Sequence, residues 1–169
     1  MRIKSIVLCG VLTALMCVLS PIALPLNAVP VTLATLVIYL IASTSDVHTS
    51  LISVTIYIVL GCIGLPVFSG FNGGIGHILG PTGGFIVGYI PLTLYVSLFG
   101  RGKLMRAIGI CIGTLMLYII GCFGYCIYTN DNFVTAVSLC VLPFLPGDVI
   151  KIILTLLIYP KLKRIIKKN

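Results

Sequence analysis

The chain has 169 residues, of which 59% are hydrophobic and only 8% charged, with a formal net charge of +8 and a mean hydropathy of +1.23. A soluble domain carries roughly 25% charged residues, so this composition excludes one and makes lipid the main solvent. The positive charge does not indicate nucleic-acid binding, which needs a basic patch on a soluble face beside a motif or interleaved aromatics, and none is visible.

A bilayer-spanning helix takes about 20 mainly apolar residues, so six consume roughly 120 positions and leave little for anything else. The expectation is one all-α membrane domain over 1–169: a bundle of six transmembrane helices with long outer loops. Breaks at Gly, Pro and polar clusters put the spans at 5–20, 31–42, 47–62, 80–99, 104–122 and 147–159. Met1-Arg2-Ile3-Lys4 and the apolar run behind it imitate a secretory signal peptide, with Leu26-Asn27-Ala28 as a poor cleavage site. Further apolar runs follow at once, so an uncleaved first helix is expected. Gly10 and Ala14 lie four residues apart on it, a spacing that lets helices approach closely in lipid. Packing inside the bundle and docking on another subunit are equal readings of that pair.

The second and third spans meet in a tight hairpin at Ser43-Thr44-Ser45-Asp46. After the third span comes a glycine-rich stretch, Gly61 to Gly74, continuing through Gly80-Pro81-Thr82-Gly83-Gly84. Such glycines permit close backbone approach and expose amides, which suits either a lid over a small ligand or a flexible loop. Gly80, Gly84 and Gly88 form a stripe at four-residue spacing that reads as a close helix contact, and Gly109 and Gly113 repeat it on the fifth span. The segment 133–142 is too short to cross and is expected as a short helix at the surface or dipping inward.

Lysine and arginine are retained in short cytoplasmic segments. Arg2 and Lys4, then Arg101, Lys103 and Arg106, then Lys161, Lys163, Arg164, Lys167 and Lys168 all fall on one side when the spans number six. Both termini are therefore expected in the cytoplasm of a multi-pass cell-membrane protein. The loops at 21–30, 63–79 and 123–146 then face outward and are the places to look for function.

Catalysis has little to work with. The chain has three acids and two histidines; Asp46 sits in an inner hairpin, Asp131 in an outer loop, and His48 and His77 are far apart. Gly100-Arg101-Gly102-Lys103 is followed by Leu104 and lacks the hydroxyl of a phosphate-binding loop. No enzyme, cofactor or metal site is expected. The seven cysteines mostly lie in apolar runs, where a thiol packs as a small hydrophobe. Pro146-Gly147-Asp148-Val149-Ile150-Lys151 stands apart, because Asp148 and Lys151 share one helix face. Asp148 reads either as an N-cap or as a ligand group. Lys151 is the one cation on the outer side, where topology has no use for it and burial is costly.

Taken together, four stretches resemble BioY, the biotin-specific substrate-binding (S) component family of energy-coupling factor (ECF) transporters. They are Val29-Pro30-Val31-Thr32-Leu33, Gly64-Leu65-Pro66-Val67-Phe68, Gly80-Pro81-Thr82-Gly83-Gly84, and Pro143-Phe144-Leu145-Pro146-Gly147-Asp148 with Lys151. The resemblance implies a six-helix bundle that captures biotin at its outer side and docks on a transmembrane coupling subunit driven by two ATPases. It implies that Asp148 accepts from ureido N–H groups, that Lys151 donates to the ureido oxygen, and that Asn72 adds a polar contact. Phe68 and Phe71 are then candidates for packing on the rings, and the free amides at Thr82, Gly83 and Gly84 for receiving the carboxylate. Gly10 and Ala14 fall on the family's small-residue docking motif, usually alanine at both positions. Ala34 stands where members often carry a polar residue. The alternatives are an S component for thiamine or riboflavin, which would favour more aromatic outer loops, or a small membrane enzyme or channel.

Overall fold

The computed structural model describes residues 3–24, 29–99 and 102–168. Arg2, Arg101 and the Leu26-Asn27-Ala28 site named above lie outside these residues. In chain order the elements are α1 (Ile3–Leu19), β1 (Ala23–Leu24), β2 (Val31–Thr32), α2 (Ala34–Thr44), α3 (Val47–Cys62), α4 (Ile75–Ile78), α5 (Gly83–Leu98), α6 (Lys103–Thr129), α7 (Phe133–Cys140) and α8 (Leu145–Lys168). The described fold is thus all-helical apart from one antiparallel pair of two-residue strands, in which Ala23 faces Thr32 and Leu24 faces Val31.

By length and composition, α6 alone among the described helices is long and apolar enough to cross a bilayer. The pair α7 and α8, bent by 54° at the break between them, passes the same test as one unit. Four shorter apolar helices complete the bundle: α1 from Ser5 onward, α2, α3 and α5. Large apolar side chains are buried inside, as with Val37, Ile38 and Ile41 of α2, and stand equally on the outside, as with Val7, Val11, Leu104 and Ile127. Apolar residues on both sides of a helix suit a bundle whose surroundings are as apolar as its core.

Close helix contacts are made where the sequence supplies glycine. An added Cβ at Gly84 would stand 2.6 Å from the Ile120 carbonyl and 3.0 Å from Gly124 Cα. At Gly88 it would meet Leu117, and at Gly113 it would meet Leu92. The pairings run in opposite directions along the two helices, so α5 and α6 form an antiparallel hairpin zipped by small residues. This also explains why α6 continues to Thr129, past the expected end at 122. Gly121 and Gly124 look like a break in the sequence, yet they are the positions where Phe85 and Gly84 press against α6. The expected outer loop 123–146 accordingly contains the end of α6 and all of α7.

Helix α1 packs on α3 through polar contacts unusual for so apolar a segment. Thr13 Oγ1 donates to the Ser53 carbonyl at 3.1 Å, and Ser53 Oγ reaches back to the Cys9 carbonyl at 3.4 Å. The opposite face of α1 carries Ile3, Val7, Gly10, Val11, Ala14 and Val18, all exposed. A Cβ at Gly10 would meet nothing within 4 Å. The two glycine classes predict opposite outcomes in thermal unfolding in detergent. Gly84→Val overpacks the α5–α6 contact and should destabilise by about 1 to 3 kcal/mol, whereas Gly10→Ala should stay within about 0.5 kcal/mol of wild type.

Candidate ligand pocket

One end of the bundle holds a cavity whose polar floor comes from α2, α6 and α8. Asp148 and Lys151 are 4% and 7% exposed. Lys151 Nζ donates to Asp148 Oδ1 at 3.0 Å and to Thr35 Oγ1 at 2.9 Å. Thr35 Oγ1 donates in turn to Asp148 Oδ1 at 3.3 Å, and Tyr118 OH donates to Asp148 Oδ2 at 2.5 Å. A charge removed from water is tolerated only where partners of this kind replace the solvent.

The local sequence explains the placement. Helix α8 starts at Leu145, two residues before the expected boundary, and the Asp148 amide already donates to the Phe144 carbonyl at 2.8 Å. Asp148 is therefore inside the first turn, and its carboxylate is spent on side chains of α2, α6 and α8. The spacing of three residues on a helix carries Lys151 onto the same face.

Above this floor the wall is apolar and aromatic, with Phe85 and Tyr89 one turn apart on α5, Tyr57 of α3, and Phe68 and Phe144 from the loops. Phe68 is held edge-on by Tyr57, with centroids 5.8 Å apart, and stacked by the His77 imidazole at 5.7 Å. Burial pushes the His77 imidazole below its usual 6.5, so it lines the cavity uncharged at neutral pH. The small strand pair brings Val29, Pro30 and Thr32 to the rim.

Of the residues expected to contact the ligand, Asp148, Lys151, Phe68 and Thr82 line this cavity. Asn72 and Phe71 stand outside it, at the tip of a turn in which Asn72 Nδ2 donates to the Ser69 carbonyl at 3.0 Å. Phe71 is 67% exposed and has a φ of 60°. The Gly83 amide donates to the Gly80 carbonyl at 3.1 Å, and Gly84 packs on α6. Thr82 Oγ1 donates to the His77 carbonyl at 3.3 Å, tying α5 to the loop before it.

Sequence reasoning missed Thr35 and Tyr118, which hold the acid. Their separation from Asp148 is 113 and 30 residues, so no local pattern joins them. Thr35 is one of three hydroxyl side chains in the second span, with Thr32 and Tyr39, and nothing local singles it out.

Several known proteins are similar to this chain. Residues 1–168 match the sequence model of the BioY family. The probable biotin transporter BioY of Pyrococcus horikoshii is 35% identical, over 96% of this chain and 98% of its own. The biotin transporter BioY2 of Lactococcus lactis is 34% identical, over 90% and 86%, and the biotin transporter BioY of Thermotoga maritima 32% identical, over 96% and 97%. Among solved structures, the S-component for biotin from an ECF-type ABC transporter superposes with a TM-score of 0.86 at 26% identity, covering 99% of this chain and 93% of that one.

The polar floor predicts strong thermodynamic coupling within the pair. Lys151→Met leaves a buried carboxylate without its cation and should destabilise the unliganded protein by about 3 to 5 kcal/mol. The double variant Lys151→Met with Asp148→Asn should recover part of that loss in chemical or thermal unfolding. Simple additivity of the two single losses would contradict the coupling.

Proposed function

The chain belongs to the BioY family, and on that premise we propose that it is the biotin-binding S component of an ECF-type, ATP-driven uptake transporter. It performs no chemistry of its own. The observation that carries the reading is the buried acid–amine pair at the floor of an aromatic cavity. Biotin has a ureido group with two N–H donors and one carbonyl acceptor on a compact bicycle. Asp148 takes the donors, Lys151 supplies the acceptor's partner, and the two side chains exchange part of their mutual contact for the ligand.

Phe68 packs on the bicycle from the wall. Asn72 and Phe71 join only when their turn closes over the ligand, a movement that the positive-φ Gly70 and Gly74 at its ends permit. The ligand's carboxylate is assigned to the start of α5, with Thr82 facing the cavity and Gly83 and Gly84 adding the field of the helix end.

The protein is a membrane protein in this reading, crossing the bilayer six times with both termini in the cytoplasm and the pocket outward. The spans are α1, α2, α3, α5, α6 and α8, the shorter of them extended by the loops they join. The exposed face of α1 around Gly10 and Ala14 docks on a transmembrane coupling subunit, whose two partner ATPases supply the transport energy. Its exposure supports docking over internal packing.

Calorimetry on the purified protein should detect biotin binding and no measurable thiamine or riboflavin binding, since a site with buried polar groups rejects ligands that leave them unpaired by large factors. Preference for either other vitamin would overturn the assignment. Asp148→Asn should weaken biotin binding by about 2 to 5 kcal/mol. Docking is read separately: Ala14→Trp should leave biotin binding intact in detergent and abolish uptake in cells that carry the coupling module. Full uptake by that variant removes the face from the docking surface.

A further inference from the structure

The polar side chains of the ligand pocket divide into two sets. At the floor, Asp148, Lys151, Thr35 and Tyr118 satisfy one another. In the wall, Ser69 and His77 also line the cavity, and Ser69 Oγ and His77 Nε2 are buried without a hydrogen-bond partner among the described residues. Both flank one ring: Ser69 follows Phe68 in the chain, and the His77 imidazole stacks on Phe68 with the two planes 16° apart. A buried polar atom without a partner is costly and rare, and two in one cavity mark a place where an outside group completes the bonding.

The backbone holds both residues there and leaves their side chains uncommitted. The His77 amide donates to the Gly74 carbonyl at 3.1 Å, and the His77 carbonyl accepts from Thr82 Oγ1 at 3.3 Å, which ties the residue to the start of α5. The turn at Ser69 is closed by the Phe68 amide on the Asn72 carbonyl at 2.9 Å and by Asn72 Nδ2 on the Ser69 carbonyl. Helix α4 packs on α3 and α5, which bring the phenols Tyr57 and Tyr89 to the cavity. The charged groups of the cavity are Asp148 and Lys151 of α8, and they are paired with each other. His77 thus has no carboxylate partner among the described residues, and burial is what lowers its pKa. An anion against the ring reverses that balance, because an opposite charge favours the imidazolium. The stacked Phe68 ring, 5.7 Å away, also favours a cation on its face.

Resting on the biotin reading above, we propose that Ser69 and His77 form the subsite for the ligand's carboxylate: Ser69 Oγ and His77 Nε2 donate to its oxygens, and the imidazole takes up a proton from solvent as the ligand binds. The subsite supplies the side-chain donors that the start of α5 lacks, since the Thr82 hydroxyl is committed to the His77 carbonyl.

Calorimetry in buffers of different ionisation enthalpy tests it, with biotin and with biotinamide, which keeps the ureido bicycle and replaces the carboxylate by a neutral amide. Biotin should bind wild type with proton uptake, and its affinity should rise by about fivefold between pH 8 and pH 6, a gain lost as the pH climbs through the pKa of the liganded ring. Biotinamide should bind with neither uptake nor pH dependence. His77→Gln keeps a donor but cannot be charged; it should abolish the uptake and weaken biotin by about tenfold at pH 6, with biotinamide at its wild-type affinity. Ser69→Ala should weaken biotin alone and keep the uptake. Unchanged biotinamide binding shows that a variant's pocket is intact, and the wild-type comparison of the two ligands needs no variant. Equal uptake with both ligands, uptake with neither, or uptake that persists in His77→Gln would overturn the proposal and leave the biotin assignment standing. A wild type that binds neither ligand would overturn both.

Discussion

Asp148 and Lys151 are an acid and an amine taken out of water one helical turn apart, and much of the surrounding structure follows from that. Neither is tolerable alone in an apolar bundle. Together they still leave lone pairs and N–H groups to satisfy, which Thr35 of α2 and Tyr118 of α6 take up at hydrogen-bonding distance. The pair thus fixes how three helices distant in sequence meet. A hydrophobic replacement of similar volume would serve stability as well or better, so the retention of charge here points to a ligand with matching donors and acceptors.

The rest of the bundle keeps that meeting point in place. Tyr118 reaches Asp148 because α6 is pinned to α5 by glycine contacts at Gly84, Gly88 and Gly113, which leave little freedom to slide. The same hairpin positions Phe85 and Tyr89 in the cavity wall.

The extent to which this was legible in the sequence depends on how local each feature is. The apolar runs and their punctuation gave α1, α2, α3 and α5 to within a few residues, whereas α8 continues through its basic tail to Lys168, well past the expected end at 159; the i,i+3 spacing singled out Asp148 and Lys151. The glycine stripes were readable as helix contacts at Gly84, Gly88, Gly109 and Gly113, while Gly80 stands before α5 and meets only the carbonyls of Gly76 and His77; the same chemistry hid the true end of α6, because Gly121 and Gly124 signal a break in sequence and a close approach in space. The strand pair at Ala23–Leu24 and Val31–Thr32 gives almost no periodic signal at two residues per strand. Thr35 and Tyr118 were invisible because their role arises only when α2 and α6 are laid beside α8. The turn bearing Phe71 and Asn72 was expected at the ligand and stands outside the cavity.

The central claim is that the acid–amine pair engages the ureido group of the ligand. Infrared difference spectroscopy with biotin carrying a ¹³C-labelled ureido carbonyl tests it most directly. On binding to wild type, the carbonyl stretch should move to lower frequency through the Lys151 hydrogen bond, and the shift should disappear in Lys151→Met at saturating ligand. An unshifted ureido band, with the ligand's carboxylate bands perturbed by Lys151 instead, would mean that biotin lies the other way round and would contradict the account.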